Sequence, residues 1–272
     1  MPAIISRALV FVFGSLIGSF LNVCIHRMPR GESVLWPRSR CPHCQKKIPG
    51  YDNIPFLSYL ILKGHCRFCK GRISLRYPLV EFLTAALLLV LYDRFGFTYD
   101  FLAYCLFGCG LIIATFVDLK ERIIPDEISI GGMILGFILI SIKGISLKPL
   151  YFNFQPMFSS FMGIVTGAGI IYIISFFFDL VYFRILKKSA IQGETTSMGM
   201  GDIKFLAMIG AFLGWQKAIL TFFVAPFLGL VFGILNLILK RNRLIPYGPF
   251  LALAALIALF WGDRLIIFLR GL

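Results

Sequence analysis

Long apolar runs alternate with short polar connections along most of this chain. Eight runs stand out, at residues 4–25, 78–94, 99–119, 127–143, 157–183, 203–215, 217–239 and 249–269. Apolar runs on this scale, poor in charge, predict helices that cross a bilayer. The pattern therefore predicts an all-α polytopic membrane protein with about eight transmembrane helices. The first run is not read as a cleavable signal peptide, because it is long, carries Asn22 and ends without a small-residue cleavage site. The sixth run is short. From Ile203 to Trp215 a helix covers only about 20 Å, against a hydrocarbon core of roughly 30 Å. Either the bilayer thins there, or Asp202 at the start of the run sits below the headgroups.

One polar segment breaks the alternation, between the first two runs. The organisation predicted is a first transmembrane helix over residues 1–26, a small insert over 27–77 and a membrane domain over 78–272.

Composition agrees with a membrane protein. The chain has 272 residues, 58% of them hydrophobic, and a mean hydropathy of +0.86, well above a soluble domain. A net charge of +14 raises the question of nucleic acid, but the distribution points elsewhere. Eight crossings put residues 26–77, 120–126, 184–204 and 240–248 on one side of the membrane. Of the 27 Lys and Arg, all but Arg7, Arg94, Lys143, Lys148, Lys217, Arg264 and Arg270 fall on that side. Positive charge marks the cytoplasmic side, so both termini are expected outside the cytoplasm. No nucleic-acid partner is called for; a secondary attraction to anionic lipid or an acidic partner is compatible with the same charges.

The insert contains "CPHCQKKIPGYDNIPFLSYLILKGHCRFCK". Cys41 and Cys44 form one CxxC pair, and Cys66 and Cys69 another. Two such pairs suit a tetrahedral structural zinc site. Zinc takes thiolates, and Lys46, Lys47, Arg67, Lys70 and Arg72 nearby favour the deprotonated form. The rival is a pair of disulfides, which a cytoplasmic location disfavours. His43 and His65 flank the cysteines, but four thiolates already fill the shell. So small an insert builds little core, which gives a metal a structural role. Cys24, Cys105 and Cys109 read as small packing residues in the spans.

Most of the 13 carboxylates have ordinary addresses. Asp93, Asp100 and Asp263 fall at outer ends of runs, and Glu32, Asp52 and Glu194 in polar loops. Asp179 has Arg184 nearby. Glu81 either pairs with Arg76 or faces a site. Asp118, in "TFVDLKERIIPDEI", and Asp202, in "SMGMGDIKFL", are different. The charge-derived topology puts both at the same membrane face. Two carboxylates brought close share a proton, the state in which one activates water and the other serves the peptide carbonyl and leaving amine. Helix polarity would put that proton on Asp118, at a helix C-terminus, and leave Asp202, at an N-terminus, as the base. The glycines before Asp202 permit close approach of backbone and substrate. The alternative for each aspartate alone is a helix-end carboxylate paired with lysine.

Together these residues resemble the type IV prepilin peptidases, the bifunctional leader peptidases and N-methyltransferases of bacterial pilus and type II secretion systems. The resemblance covers most of the chain, through "FGSLIGSFLNVCIHRMP", "CPHC", "YDNIPFLSYL", "GHCRFCKGRISLRYPLVE", "DLKERIIPDEI", "GMGDIK" and "IPYGPFLAL". Phe205 and Ala254 depart from the residues common in the family. The resemblance implies that Asp118 and Asp202 are the catalytic pair of a GxGD aspartic endopeptidase. Asp126 matches a family motif without being catalytic. It implies prepilin or pseudopilin substrates, anchored in the lipid bilayer and cut after glycine at the cytoplasmic face of the bacterial inner membrane. It also implies methylation of the new N-terminus from S-adenosylmethionine, with Gly64 at a position tied to that activity. The residues themselves support methylation less: no Gly-rich strand–turn–helix is evident, and the insert is too short for a Rossmann unit. Gly64 is equally a turn glycine ahead of a zinc knuckle. Two other readings remain at this point, a peptidase without methyltransferase activity and an ion-binding transporter or zinc-bearing membrane scaffold. A transporter predicts internal repeats and mid-bilayer carboxylates, and neither is evident.

Overall fold

A computed structural model describes residues 2–147, 150–181, 199–239 and 246–271; Arg184, Glu194 and Lys148 lie outside them. A helix forms on each of the eight apolar runs: α1 (Pro2–Arg27), α3 (Arg76–Phe95), α4 (Tyr99–Glu121), α5 (Asp126–Ile142), α6 (Phe154–Asp179), α7 (Met200–Leu213), α8 (Trp215–Ile238) and α9 (Gly248–Arg270). The short α2 (Leu57–Ile61) lies in the polar insert. Between α5 and α6, β1 (Ile145–Leu147) and β2 (Leu150–Phe152) form a small antiparallel hairpin with Ile145 opposite Phe152.

Five of these helices, α1, α4, α6, α8 and α9, are long and apolar enough to cross a membrane. Eight such helices were expected, so length and composition alone do not carry that count. α3 is interrupted by Arg76, Glu81, Asp93 and Arg94. α5 has 17 residues and α7 only 14.

The chain divides into two compact units, residues 1–113 and 114–272, the division falling within α4. In the first unit α1 and α3 run antiparallel, and two glycines set their approach. A Cβ on Gly14 would meet the Ala85 Cα at 2.8 Å, and one on Gly18 the Glu81 Cα at 2.6 Å. Glycine four residues apart on one face lets two backbones touch, the usual route to tight helix pairing in lipid. Polar bonds fix the register at both ends of the pair. Asn22 Nδ2 donates to the Tyr77 carbonyl at 3.0 Å, and Arg7 Nε donates to Asp93 Oδ1 at 2.8 Å.

The second unit is built around α7. Phe205, Leu206, Ala207, Met208, Ile209, Ala211 and Phe212 are all buried. A helix apolar on every side is stable only inside a protein or a membrane, and here other helices enclose it. α6 runs antiparallel to it at backbone contact: a Cβ on either Gly163 or Gly210 would meet the other's carbonyl oxygen at 2.0 Å. Ser160 Oγ donates to the Ala211 carbonyl at 2.6 Å in the same seam. α5 runs parallel on another side, where Gly132 makes room for the Met208 sulfur and Gly136 for the Phe212 ring. Lys204 Nζ joins the starts of α7 and α5 by donating to both oxygens of Asp126, at 2.7 and 3.0 Å. α8 and α9 pair antiparallel, with Lys217 Nζ 3.0 Å from Asp263 Oδ2. Protein contacts therefore explain how so short a helix is stable. The outward side chains of the long helices are largely apolar, Phe158, Val165, Phe223, Phe227 and Leu230 among them, as lipid contact requires.

Candidate functional site

Asp118 lies in the last turn of α4 and is only 6% exposed. Its Oδ2 accepts the backbone N–H of Gly248 at 2.8 Å. Gly248 is the first residue of α9, so this N–H is one of the donors that a helix start leaves without an internal partner. Glycine is required there, because a Cβ would sit 2.6 Å from Asp118 Oδ2. Immediately after α4 the chain turns through Arg122, at φ +58°, whose N–H donates to the Asp118 carbonyl at 3.0 Å.

Asp202 stands in the first turn of α7. Its N–H donates to the Gly199 carbonyl at 3.1 Å, closing the turn that enters the helix. The position of a Cβ on Gly199 is 3.7 Å from Asp202 Oδ2, and one on Gly201 would lie 3.5 Å from Ile124. Both distances are ordinary van der Waals contacts, so neither glycine is forced by crowding.

The fold brings Asp118 and Asp202 within electrostatic range of each other, and the Tyr247 phenol within range of Asp202. Three separate chain segments meet at this point. Among the described residues neither aspartate forms an ion pair. Lys120 pairs with Glu121 and Lys204 with Asp126, so the lysine two places after each aspartate is engaged elsewhere. Pairing with those lysines does not account for the two carboxylates. Helix polarity does not settle their roles either: Asp118 ends α4 but receives the leading N–H of α9, so opposite helix ends act on it.

Gly248 and Tyr247 were not singled out from sequence. The available signal was "YGP" at the start of the last apolar run, where proline marks a first helical turn and the glycine before it permits close approach.

Glu81 and Asp52 fill structural positions. Glu81 does not pair with Arg76. It is buried and accepts the Phe56 N–H at 3.1 Å, holding a residue at φ +58° ahead of α2, while the Arg76 guanidinium lies over the Tyr77 ring. Asp52 is bound by Arg67 at 2.8 and 2.6 Å, and hydrogen bonding from that guanidinium holds its carboxyl below the usual range.

The insert gathers Cys41, Cys44, Cys66 and Cys69 with all four sulfurs within 4.8 Å of one another. Two matching turns position them. Cys41 N–H donates to the Lys46 carbonyl at 3.0 Å, and Cys66 N–H to the Gly71 carbonyl at 2.8 Å. The residue after each second cysteine, Gln45 or Lys70, has positive φ. Sulfurs at about 2.3 Å from a tetrahedral zinc stand about 3.8 Å apart, and the Cys41 and Cys69 sulfurs are 3.8 Å apart. A disulfide needs about 2.05 Å; all four thiols are free, which sets the disulfide alternative aside. Backbone N–H groups of Cys69 and then Phe68 hold the Cys66 thiol down to about 6, favouring the thiolate that a metal binds. Neither neighbouring histidine belongs to this group: His43 packs against Gly71, and His65 Nδ1 bonds the Lys63 carbonyl at 2.7 Å. The four sulfurs fit a metal ion.

Gly64 has φ +71° at the end of α2, and a Cβ there would meet the Tyr59 hydroxyl at 2.9 Å. Its N–H donates to the Tyr59 carbonyl at 2.9 Å, and its carbonyl accepts the Ile73 N–H at 2.7 Å. This is the geometry of a turn glycine that links α2 to the second knuckle.

The model of the Bacterial Peptidase A24 N-terminal domain matches residues 12–95, and that of the Type IV leader peptidase family matches residues 105–234. A prepilin leader peptidase/N-methyltransferase of Aeromonas salmonicida is 35% identical, over 95% of this chain and 91% of its own. A relative of the same name from Legionella pneumophila is 33% identical, over 94% and 92% of the two chains. Another from Pseudomonas aeruginosa is 33% identical, over 96% and 93%. No solved structure matches the chain. With relatives of this similarity spanning nearly the whole length of both partners, the chain belongs to the type IV leader peptidase family.

Proposed function

We propose that this protein is a membrane aspartic endopeptidase of the GxGD type. It cleaves the leader of type IV prepilins and pseudopilins after glycine, then N-methylates the new N-terminus from S-adenosylmethionine. In this reading it is a multi-pass protein of the bacterial inner membrane with eight crossings and both termini outside the cytoplasm. The active site and the 27–77 insert face the cytoplasm, and residues 78–272 form the peptidase domain. The observation that supports the reading is the electrostatic proximity of Asp118 and Asp202, unpaired by lysine, with the Gly248 N–H on Asp118. The relatives' names support the substrate class and the methyl transfer.

The chemistry follows from two carboxylates sharing one proton. The ionised member takes a proton from water as the water oxygen bonds to the scissile carbonyl carbon. The protonated member donates to the carbonyl oxygen. Collapse then breaks the C–N bond, and the amine nitrogen leaves with a proton from the pair. Gly248 occupies Asp118 Oδ2 and so leaves Oδ1 for water or substrate. A substrate that ends in a long apolar helix supplies much of its own positioning, because the bilayer holds it.

Cys41, Cys44, Cys66 and Cys69 would hold zinc, which closes the insert's two knuckles and takes no part in cleavage. The space beside Gly64 is filled by the Tyr59 hydroxyl, which gives the methyl donor no cradle at that residue.

The test is cleavage of a prepilin-like peptide by the purified protein. Asp118→Asn and Asp202→Asn should each abolish cleavage with folding retained, and near-normal turnover in either variant would defeat the two-aspartate mechanism. The same Asp118→Asn protein, given an already cleaved pilin, should still transfer labelled methyl. Absence of transfer by wild-type protein would leave a peptidase without methylation.

A further inference from the structure

The hydroxyl of Tyr247 is buried and has no hydrogen-bond partner among the described residues. Buried hydroxyls are nearly always bonded, because one stripped of water and left unpaired is unfavourable. The segment that carries this hydroxyl bonds Asp118. Tyr247 precedes Gly248, whose N–H holds Asp118 at 2.8 Å. Its ring lies within electrostatic range of Asp202. The start of α9 therefore donates a backbone N–H to Asp118 and places a phenol within electrostatic range of Asp202.

The backbone of Tyr247 is fixed. Its carbonyl accepts the N–H of Phe250 at 3.0 Å and of Leu251 at 3.2 Å, the first bonds of α9. A hydroxyl on a rigid ring, held at a helix start and already desolvated, needs no reorganisation to meet a charge that develops nearby. That is the property required of a donor that stabilises a tetrahedral oxyanion.

We infer that Tyr247 is a catalytic residue of the peptidase reaction, donating its hydroxyl hydrogen to the scissile carbonyl oxygen as that oxygen gains charge between Asp118 and Asp202. The inference rests on the endopeptidase reading above. The hydroxyl bond strengthens in the transition state and is weak to the neutral carbonyl of bound substrate. Its loss therefore lowers kcat and leaves KM nearly unchanged.

Tyr247→Phe removes the hydroxyl alone. A buried hydroxyl without a protein partner costs stability, so the variant should unfold at or above the wild-type temperature. In cleavage of a prepilin-like peptide its kcat should fall about 100- to 1,000-fold, the range for loss of one oxyanion donor. A peptide carrying a hydroxyethylene unit at the scissile bond, which mimics the tetrahedral state, should bind more weakly by a similar factor, while the uncleaved peptide binds as before. Unchanged kcat in Tyr247→Phe, with Asp118→Asn and Asp202→Asn inactive, overturns this inference and leaves the endopeptidase reading standing. Equal weakening of both peptides, or a variant that fails to fold, assigns the hydroxyl a structural role and also overturns it. Normal cleavage by the Asp→Asn variants removes the reading beneath it as well.

Discussion

Gly248→Ala tests the contact between α9 and Asp118 with a single methyl group. The added Cβ would stand 2.6 Å from Asp118 Oδ2, where carbon and oxygen normally keep more than 3 Å. Something must move, and the choices are limited. The N–H of residue 248 is 2.8 Å from the same oxygen, so a shift that relieves the methyl also stretches this bond. A hydrogen bond to a charged group contributes about 1.5–3 kcal/mol. If most of that is lost from the catalytic geometry, turnover falls roughly 10- to 150-fold, at about 1.4 kcal/mol per decade. Stability should fall as well, because the same bond is lost from the folded state and alanine's helix preference of about 1 kcal/mol offsets only part of it. A loss of turnover in protein that is still folded at the assay temperature is the expected result. The assay is steady-state cleavage of a prepilin-like peptide in detergent, beside a thermal unfolding scan of the same preparation. Turnover within about twofold of wild type would refute the reasoning, because Asp118 would then work without the geometry that Gly248 imposes.

Two further expectations concern the scaffold. Gly210→Ala drives a Cβ to 2.0 Å from the Gly163 carbonyl oxygen, so the α6–α7 seam must part; destabilisation of at least about 1–3 kcal/mol is expected, and an unchanged unfolding temperature would show that this seam is not closed in the bilayer. Elemental analysis should find one zinc per chain bound by Cys41, Cys44, Cys66 and Cys69, with Cys66→Ser losing it; protein free of metal with its thiols paired would mean that the knuckles are disulfides.

Helix placement along this chain was legible in one dimension. Apolar runs and their polar breaks marked the eight long helices to within a few residues, because a helix start and stop depend on neighbours in sequence. The two cysteine knuckles were legible for the same reason: CxxC spacing sets two sulfurs on one tight turn, whatever surrounds it. Asp118 and Asp202 stood out because a carboxylate at the edge of an apolar run is costly and asks for a cause.

What the tertiary structure decided lies in contacts between distant residues. Periodicity described the residues of α7 as an apolar run too short for a bilayer; only packing made it an enclosed helix, stable because Gly163 on α6 and Gly132 and Gly136 on α5 let its neighbours close around it. Nothing near Asp118 in sequence announces that its partner is the N–H of Gly248, 130 positions away, or that Tyr247 would lie within electrostatic range of Asp202. Those meetings depend on which helices lie side by side and in which direction they run. That choice is made by close approach over small residues and by satisfaction of the donors at a helix start, neither of which a local pattern of apolar and polar positions records.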